Sequence, residues 1–396
     1  MPTTRNPRSG LCSDITREPL PGTAKTGRLI VAVEYPQGWG KDILDGEALG
    51  KELAGEVKRW LKRHHAQLQF IRRPGRSGQT GQPGGADTSV VFVADAGATP
   101  PTLERLEVTG GVRGLLDVDL STPGSVPGAT RVDHPLLLVC THGKRDTCCA
   151  VKGRPMAAAL ADGHGGETVW ESSHTKGHRF APSMILLPHN YSFGGLDVPG
   201  ASAMLDTAAR GEVPVAGNRG RGTFDTHGQV AELAVAELLA ARGTPARLGE
   251  LSVEKYTVPV TPVAQNAEQD AYAAAHAAVD PDLRRRAGEL ITERIEMKAA
   301  GRREELRALH RQGYFQPVRD YEYAVREAAA AHGLGGKKHK GHKGDKGSAP
   351  AVRVTGDAGS WIVTLESRTC HPVVSSCGDR PKEGRSWVAA DVAAVN

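Results

Sequence analysis

The sequence predicts an α/β fold, because short β-rich apolar runs alternate with segments whose apolar residues recur at helical spacing. The chain has 396 residues, of which 39% are hydrophobic, so it is long enough for two or three domains with cores of their own. No run approaches the roughly eighteen apolar residues that a membrane-spanning helix requires. The N-terminus lacks the apolar core of a secretory signal, and we therefore expect a cytoplasmic protein.

Residues 1–130 are expected to form an N-terminal α/β unit. Its first predicted strand, residues 28–34, is ended by a turn rich in Pro and Gly. Residues 46–63 are predicted to form an amphipathic helix with one apolar stripe. Strands follow around residues 68–70 and 90–93, which gives the order β, α, β, β.

Residues 131–262 are expected to form a second α/β domain. Its first strand, residues 135–139, is apolar throughout, as is typical of a buried strand, and carries Cys140 at its carboxyl end. In open α/β folds the loops beyond the carboxyl ends of strands are where sites are assembled. A helix over residues 154–161 is predicted to begin just after Cys148 and Cys149.

Further elements follow in this domain. Strands are predicted around residues 168–171 and 184–187, so that His174 and His178 lie in the loop between them. Helices are predicted over residues 200–211 and 228–241, the second with Asp225 or Thr226 as its N-cap. The glycine-rich residues 217–222 match no phosphate-binding pattern, and we expect an ordinary turn there.

The remaining chain divides into three segments by composition. Residues 263–335 are expected to be a charged helical segment, residues 336–350 a basic disordered linker, and residues 351–396 a β-hairpin segment. Cys370 and Cys377 lie in this last segment without clustered partners in the sequence, and we expect them to be structural or incidental.

Five candidate metal ligands fall within a short stretch of the second domain: Cys140, Cys148, Cys149, His174 and His178. With six cysteines in the chain and three of them crowded together, metal or redox chemistry is a better prediction than a disulfide framework. Three chemistries fit the residue types: a [2Fe-2S] cluster with two thiolates and two imidazoles, structural zinc in a Cys2His2 site, or a thiol oxidoreductase that uses Cys148 or Cys149 with a histidine base. Spacing alone does not choose among them.

The motifs around these residues resemble the sucrase/ferredoxin-like family, whose members are thioredoxin-like [2Fe-2S] ferredoxins. The resemblance is carried by LVCTHGKRDTCCA at residues 138–150, GRP at 153–155 and WESSHTKGHRFA at 170–181. The segments that begin at Cys12 and Cys377 also resemble bacterial members. Many bacterial members carry a cysteine just before the Ser-His pair, where this chain has Ser172.

The resemblance implies a ligand set and a function. The family pattern Cys-x8-Cys with His-x3-His assigns a [2Fe-2S] cluster to Cys140, Cys149, His174 and His178. It implies a thioredoxin-like domain that transfers one electron at a time, with reduction coupled to proton uptake at an exposed imidazole. A redox carrier is expected rather than an enzyme acting on its own. His142 is the neighbouring histidine that we would test as a substitute ligand.

Charge suggests the kind of partner. Lys and Arg are interleaved with Asp and Glu over most of the chain, which argues against a specific nucleic-acid partner, and no membrane partner is expected. Near the candidate ligands the local charge is positive, which favours an acidic redox partner protein. The basic residues concerned are Lys144, Arg145, Lys152, Arg154, Lys176 and Arg179.

Overall fold

Strands from both predicted α/β units join one ten-stranded sheet. The protein is seen in a computed structural model that describes residues 11–75, 88–256, 274–331 and 350–395. In chain order the strands of this sheet are β1 (Leu29–Glu34), β2 (Ala66–Arg72), β3 (Thr88–Asp95), β4 (Thr102–Thr109), β5 (Thr130–Arg131), β6 (Leu136–Cys140), β7 (Val169–Ser172), β8 (Ser183–Leu187), β9 (Tyr191–Gly194) and β10 (Asn218–Arg221). Across the sheet they lie in the order β10-β9-β8-β6-β7-β2-β1-β3-β4-β5.

The two halves of the sheet have the same topology. In the first half β1 is parallel to β2 and antiparallel to β3, which is antiparallel to β4. In the second half β6 is parallel to β7 and antiparallel to β8, which is antiparallel to β9. The halves meet where β2 pairs with β7 in antiparallel fashion, through Ile71 opposite Ser172 and Arg72 opposite Glu171. The α/β class predicted from the sequence is therefore confirmed.

Helices cover this sheet. They are α2 (Lys51–His64), α3 (Arg154–His164), α4 (Val198–Ala209) and α5 (Thr226–Ala241), whereas the short α1 (Cys12–Ile15) contacts the turn at residues 178–180. The predicted helix over residues 46–63 begins later, at Lys51. The reason is that Gly46 and Gly50 have φ angles of 96° and 77°, a left-handed conformation that a right-handed helix excludes. The predicted apolar stripe of α2 packs against β1 and β2, where Val57, Trp60 and Phe70 are buried.

Two local predictions around α5 had different outcomes. Asp225 is the N-cap of α5, and its carboxylate accepts a hydrogen bond of 2.9 Å from the N–H of Gly228. The ordinary turn expected over residues 217–222 is wrong, because Asn218–Arg221 forms the edge strand β10. This strand lacks the apolar pattern by which strands are predicted, because its buried side chains are polar. The side-chain amide of Asn218 donates a hydrogen bond to the Pro214 carbonyl, and the Arg221 guanidinium pairs with Glu232 at 2.8 Å.

A second, four-stranded sheet belongs to the same compact unit. It is antiparallel throughout and consists of β11 (Ser252–Tyr256), β12 (Ala351–Gly356), β13 (Gly359–Val373) and β14 (Lys382–Val395). Val354, Trp361 and Val363 on its inner face share a core with Val230 and Val235 of α5. The C-terminal segment after β13 is thereby anchored to the domain that carries the candidate ligands.

Residues 258–348 make up a separate compact unit. Its described helices are α6 (Pro281–Ala299), α7 (Arg303–Arg311) and α8 (Gln316–Ala331), which pack around buried Leu290, Met297 and Phe315. The predicted basic linker lies almost wholly outside the described residues. Within the described chain, no helix combines the length and the apolar character needed to cross a membrane.

Candidate metal centre

The end of β6 and the turn after it hold the two predicted thiol ligands. Cys140 is the last residue of β6, and Cys149 begins a π-helical turn, Cys149–Gly153, that continues directly into α3. A side chain at Gly153 would collide with the carbonyl oxygen of Cys140, so glycine permits the turn to pack against the strand end. Both thiols are fully buried.

The buried thiols of Cys140 and Cys149 interact electrostatically with each other. The interaction with Cys149, followed by that with His174, lowers the pKa of the Cys140 thiol well below its ordinary value, while the interaction with Cys140 raises the pKa of the Cys149 thiol. One of the two sulfurs therefore carries negative charge more readily than a free cysteine does. The structure thus places two further predicted ligands, Cys149 and His174, near Cys140.

The two predicted imidazole ligands lie side by side. The ring centroids of His174 and His178 are 5.1 Å apart. The Nδ1 atom of each ring is buried, and neither has a hydrogen-bond partner among the described residues. Burial lowers the pKa of His178, so its ring is held neutral.

Hydrogen bonding defines the tautomer of His178. Its Nε2 lies within hydrogen-bond distance of the carbonyl oxygen of Ser375, and 3.7 Å from Oδ2 of Asp146. Since a carbonyl oxygen can only accept, Nε2 of the neutral ring carries the proton and donates it. The lone pair of His178 is consequently on Nδ1, the buried atom without a partner.

His142 has both ring nitrogens occupied. Its Nδ1 accepts a hydrogen bond of 3.2 Å from the backbone N–H of His174, and its Nε2 donates to the carbonyl of Gly40 at 2.8 Å. His142 therefore orients the backbone of His174 and has no free lone pair to offer as a substitute ligand.

The first half of the sheet positions the residues that precede His174. The N–H of Phe70 donates to the hydroxyl of Ser173 at 3.0 Å, and the Ser173 N–H donates to the Phe70 carbonyl at 2.8 Å. The hydroxyl of Ser173 also donates to Gln69 at 2.9 Å. β2 thus fixes the backbone from which the histidine loop departs.

A second group of potential ligands lies beside the first, and sequence analysis missed it. It consists of Cys12, Asp146, Cys148 and Cys377, whose ligand atoms all lie within 4.8 Å of one another. We call this set the Cys12 cluster. The expectation that Cys377 lacks clustered partners is wrong, because its sulfur is 3.0 Å from that of Cys148 and 3.6 Å from that of Cys12. Cys370 lies apart, with its sulfur 3.6 Å from the Ser386 hydroxyl.

Asp146 links the two groups of residues. Its Oδ2 accepts hydrogen bonds from the Ser376 hydroxyl at 2.6 Å and the Cys377 N–H at 3.0 Å, while Oδ1 accepts from the Cys148 N–H at 3.1 Å. Although burial raises its pKa, these bonds outweigh burial and lower the pKa of Asp146 below the ordinary range. Asp146 is therefore an anion that holds the C-terminal segment against the 146–149 turn.

The two adjacent cysteines point to different groups. The Cys149 thiol interacts electrostatically with Cys140, whereas the Cys148 sulfur lies 3.3 Å from that of Cys12. Hydrogen bonding from Cys12, and then from Cys377, lowers the pKa of Cys148 to about 5. The Cys148 sulfur thus belongs to the Cys12 cluster.

The predicted basic surroundings are partly neutralised by carboxylates. Three of the six residues form ion pairs: Lys144 with Glu47 at 2.5 Å, Lys152 with Asp14 at 2.5 Å, and Arg179 with Glu18 at 2.6 Å. Positive charge is concentrated instead in a cleft of about 270 Å³ next to His174, whose charged lining residues are Lys25, Lys41, Asp42, Arg145 and Lys176. One candidate ligand, His174, is itself among the residues that line this cleft.

Comparison with known proteins places the chain in a family. No curated protein and no solved structure matches it. A family model described as sucrase/ferredoxin-like matches residues 20–241, which include all four predicted ligands and more than half of the chain. The protein therefore belongs to the sucrase/ferredoxin-like family.

Proposed function

We propose that the chain holds a [2Fe-2S] cluster through Cys140, Cys149, His174 and His178 and works as a one-electron transfer protein. One observation carries this proposal: among the described residues, the buried Nδ1 atoms of His174 and His178 have no hydrogen-bond partner, and both rings interact electrostatically with the buried thiol of Cys140. Buried polar atoms are rarely left without a partner, because the loss of hydration is costly. Two thiolates and two neutral imidazoles are a known donor set for a two-iron cluster.

The tautomer of His178 supports its role as a ligand. Metal-binding histidines commonly donate their other ring N–H to a carbonyl or a carboxylate, which orients the ring and leaves the second nitrogen free for the metal. His178 follows this pattern, with Nε2 directed at the Ser375 carbonyl and near Asp146. The lowered pKa of Cys140 favours its thiolate, which is the form of cysteine that binds a metal.

The cluster and the protein around it would have different roles in such a centre. When bound, the cluster supplies one-electron redox chemistry at a potential above that of a four-thiolate cluster. The protein excludes water from the thiols by burial, and it holds the proton of His178 at Nε2 between Ser375 and Asp146. Release or uptake of that proton would couple charge at the site to pH.

The surroundings favour a carrier with a protein partner. The cleft beside His174 contains four cationic side chains and one acidic side chain. Such a surface attracts an acidic redox partner and raises its association rate at low ionic strength. We infer that electrons leave or enter through the His174 side and that the protein is a redox carrier rather than an independent enzyme.

We also infer that residues 131–262 form a thioredoxin-like domain, as the sequence resemblance implies. The parallel pair β6 and β7 joined by α3, followed by the antiparallel strands β8 and β9, supports this inference. The identical topology of the first half supports a related N-terminal unit that lacks the ligand residues.

Anaerobic purification tests the cluster directly. The expected product is coloured, with visible charge-transfer absorption, iron and acid-labile sulfide in equal amounts, and an EPR signal after one-electron reduction. A Cys370→Ser variant is a matched control that should keep all of these, because Cys370 contacts Ser386 rather than the ligand group. A colourless protein with zinc in the place of iron would favour an interaction module, and a metal-free protein with a reactive thiol at Cys148 or Cys149 would favour a thiol oxidoreductase.

A further inference from the structure

We propose that the Cys12 cluster is a second metal centre, in which Cys12, Cys148, Cys377 and Asp146 bind one zinc ion. Three thiols from distant parts of the chain converge here, with sulfur–sulfur separations of 3.3 Å, 3.0 Å and 3.6 Å. Cys12 and Cys148 are fully buried, and Cys377 is half-buried. None of the three belongs to the ligand set proposed for iron.

The sulfur separations fit a single ion. Tetrahedral zinc with Zn–S bonds of about 2.3 Å places neighbouring sulfurs about 3.8 Å apart, so each observed separation needs to lengthen by less than about 1 Å. A disulfide needs a separation of about 2.0 Å between two sulfurs and leaves the third unpaired. In a cluster with several irons, three cysteine sulfurs cannot all lie this close together, because at most two of them bind the same iron and the others are much further away. The geometry therefore favours one metal ion over the other two arrangements.

Asp146 supplies the fourth donor. Its Oδ1 lies 3.9 Å from the Cys12 sulfur, and a carboxylate oxygen of Asp146 lies within 4.8 Å of all three sulfurs. Three thiolates and one carboxylate are four anionic ligands that can surround an ion tetrahedrally. Zinc prefers such a thiolate-rich set, whereas magnesium and calcium prefer oxygen ligands alone.

The surrounding donors favour thiolates at this position. The backbone N–H of Cys12 donates to the sulfur of Cys377 at 3.5 Å, and the hydroxyl of Ser13 donates to the sulfur of Cys148 at 3.5 Å. Hydrogen bonds aimed at sulfur stabilise it as an anion and orient it, which is how the surroundings of metal sites hold their ligands.

The position of this centre gives it a structural role. Cys12 and Cys377 are 365 residues apart in sequence, and one ion would join α1, the 146–149 turn and the C-terminal segment. That segment also contains Ser375, whose carbonyl contacts His178. Zinc would therefore hold both α1 and the C-terminal segment against the turn that carries Cys149. It would also stabilise the hydrogen bond between Ser375 and His178 that orients the His178 ring.

Zinc K-edge absorption of the intact protein tests the proposal without interference from iron. Protein incubated with Zn²⁺ and then desalted should retain about one zinc per chain, with a first shell of mainly sulfur at about 2.3 Å. A shell of nitrogen and oxygen alone, or no retained zinc, would overturn the proposal. Mass spectrometry without reductant should find the three thiols unpaired, and a disulfide between Cys148 and Cys377 in the zinc-treated protein would also overturn it.

Variants localise the ion. Cys377→Ser and, separately, Cys12→Ser should lower retained zinc at least about tenfold, whereas the control Cys370→Ser should retain it fully. Unchanged zinc in both cluster variants would mean that the ion binds elsewhere and would refute the assignment. If one variant does not fold, the other and the absorption spectrum of the unaltered protein still decide. Iron and sulfide are measured in the same samples, so a failure of the [2Fe-2S] proposal is visible separately from a failure of the zinc proposal.

Discussion

The carbonyl oxygen of Ser375 holds the Nε2 proton of His178, a residue 197 positions earlier in the chain. A segment that follows the longest strand of the second sheet thus determines which nitrogen of a candidate ligand is free. The oxygen belongs to the backbone, so the contact depends on how the C-terminal segment is held and not on the serine side chain.

Replacement of His178 by cysteine should keep a cluster but change its electrochemistry. A third thiolate adds negative charge to the centre, so we expect the reduction potential to fall by roughly 100–300 mV. Loss of one ionisable imidazole should also flatten the dependence of the potential on pH. Protein-film voltammetry over a range of pH measures both effects. The same potential and slope in the variant would show that His178 is not bound.

The adjacent cysteines should have separable roles. We expect Cys149→Ser to lose most of its iron and visible absorption, because Cys149 is a proposed ligand whose buried thiol interacts with that of Cys140. In contrast, Cys148→Ser should keep its iron and lose zinc, because the Cys148 sulfur contacts Cys12 and Cys377. Elemental analysis of both variants, purified without air, makes the comparison. The reverse pattern would assign the cluster to Cys148.

A buried ion pair at the junction of the two halves should be important for stability. The carboxylate of Glu171 accepts a bond of 2.8 Å from Arg72 and another of 2.9 Å from the Thr141 hydroxyl, and its side chain is only 3% exposed. Glu171→Ala leaves the buried Arg72 charge without its carboxylate and with only the face of Trp39, 4.3 Å away, which should lower the free energy of unfolding by about 3–5 kcal/mol.

The exposed pair Arg131–Asp133 is the matched control for this measurement. Its side chains are 65% and 84% exposed, so Asp133→Ala should change the free energy of unfolding by less than about 1 kcal/mol. Urea titrations of both variants give the two values. Equal effects in the two variants would contradict the role assigned to Glu171.

Acid should weaken the fold partly through His189. Burial, with a smaller contribution from Arg221, lowers the pKa of His189 to about 4. Because the unfolded chain has the higher histidine pKa, of about 6.5, it binds this proton first as the pH falls. Stability therefore decreases between about pH 6.5 and 4, by up to about 3 kcal/mol from this one group.

Comparison with His189→Gln isolates this contribution. The variant cannot take up the proton, so its stability should decline less steeply than that of the unaltered protein over the same range. Urea titrations at several pH values would detect the difference. Parallel curves for the two proteins would rule out His189 as a source of the acid sensitivity.

Local patterns in the sequence predicted much of the sheet. β6 and β8 are short apolar runs that could be placed from composition, together with the loops beside them. The choice of Cys140, Cys149, His174 and His178 as ligands came from the family resemblance and stays a prediction. The Cys12 cluster could not be predicted in this way, since Cys12, Cys148 and Cys377 share no local periodicity and meet only through tertiary structure. β10 was missed for a related reason, because its buried arginine and asparagine side chains look like surface residues in a linear sequence.

The short pairing of β2 with β7 gives the first half of the sheet a structural role, although none of the four predicted ligands lies in it. Without that half, β7 would present an open hydrogen-bonding edge directly before the histidine loop, and open edges invite pairing with other chains. The contacts of Gln69 and Phe70 with Ser173 would be lost as well. The first half thus covers the edge of β7 and, through Ser173, holds the backbone directly before His174.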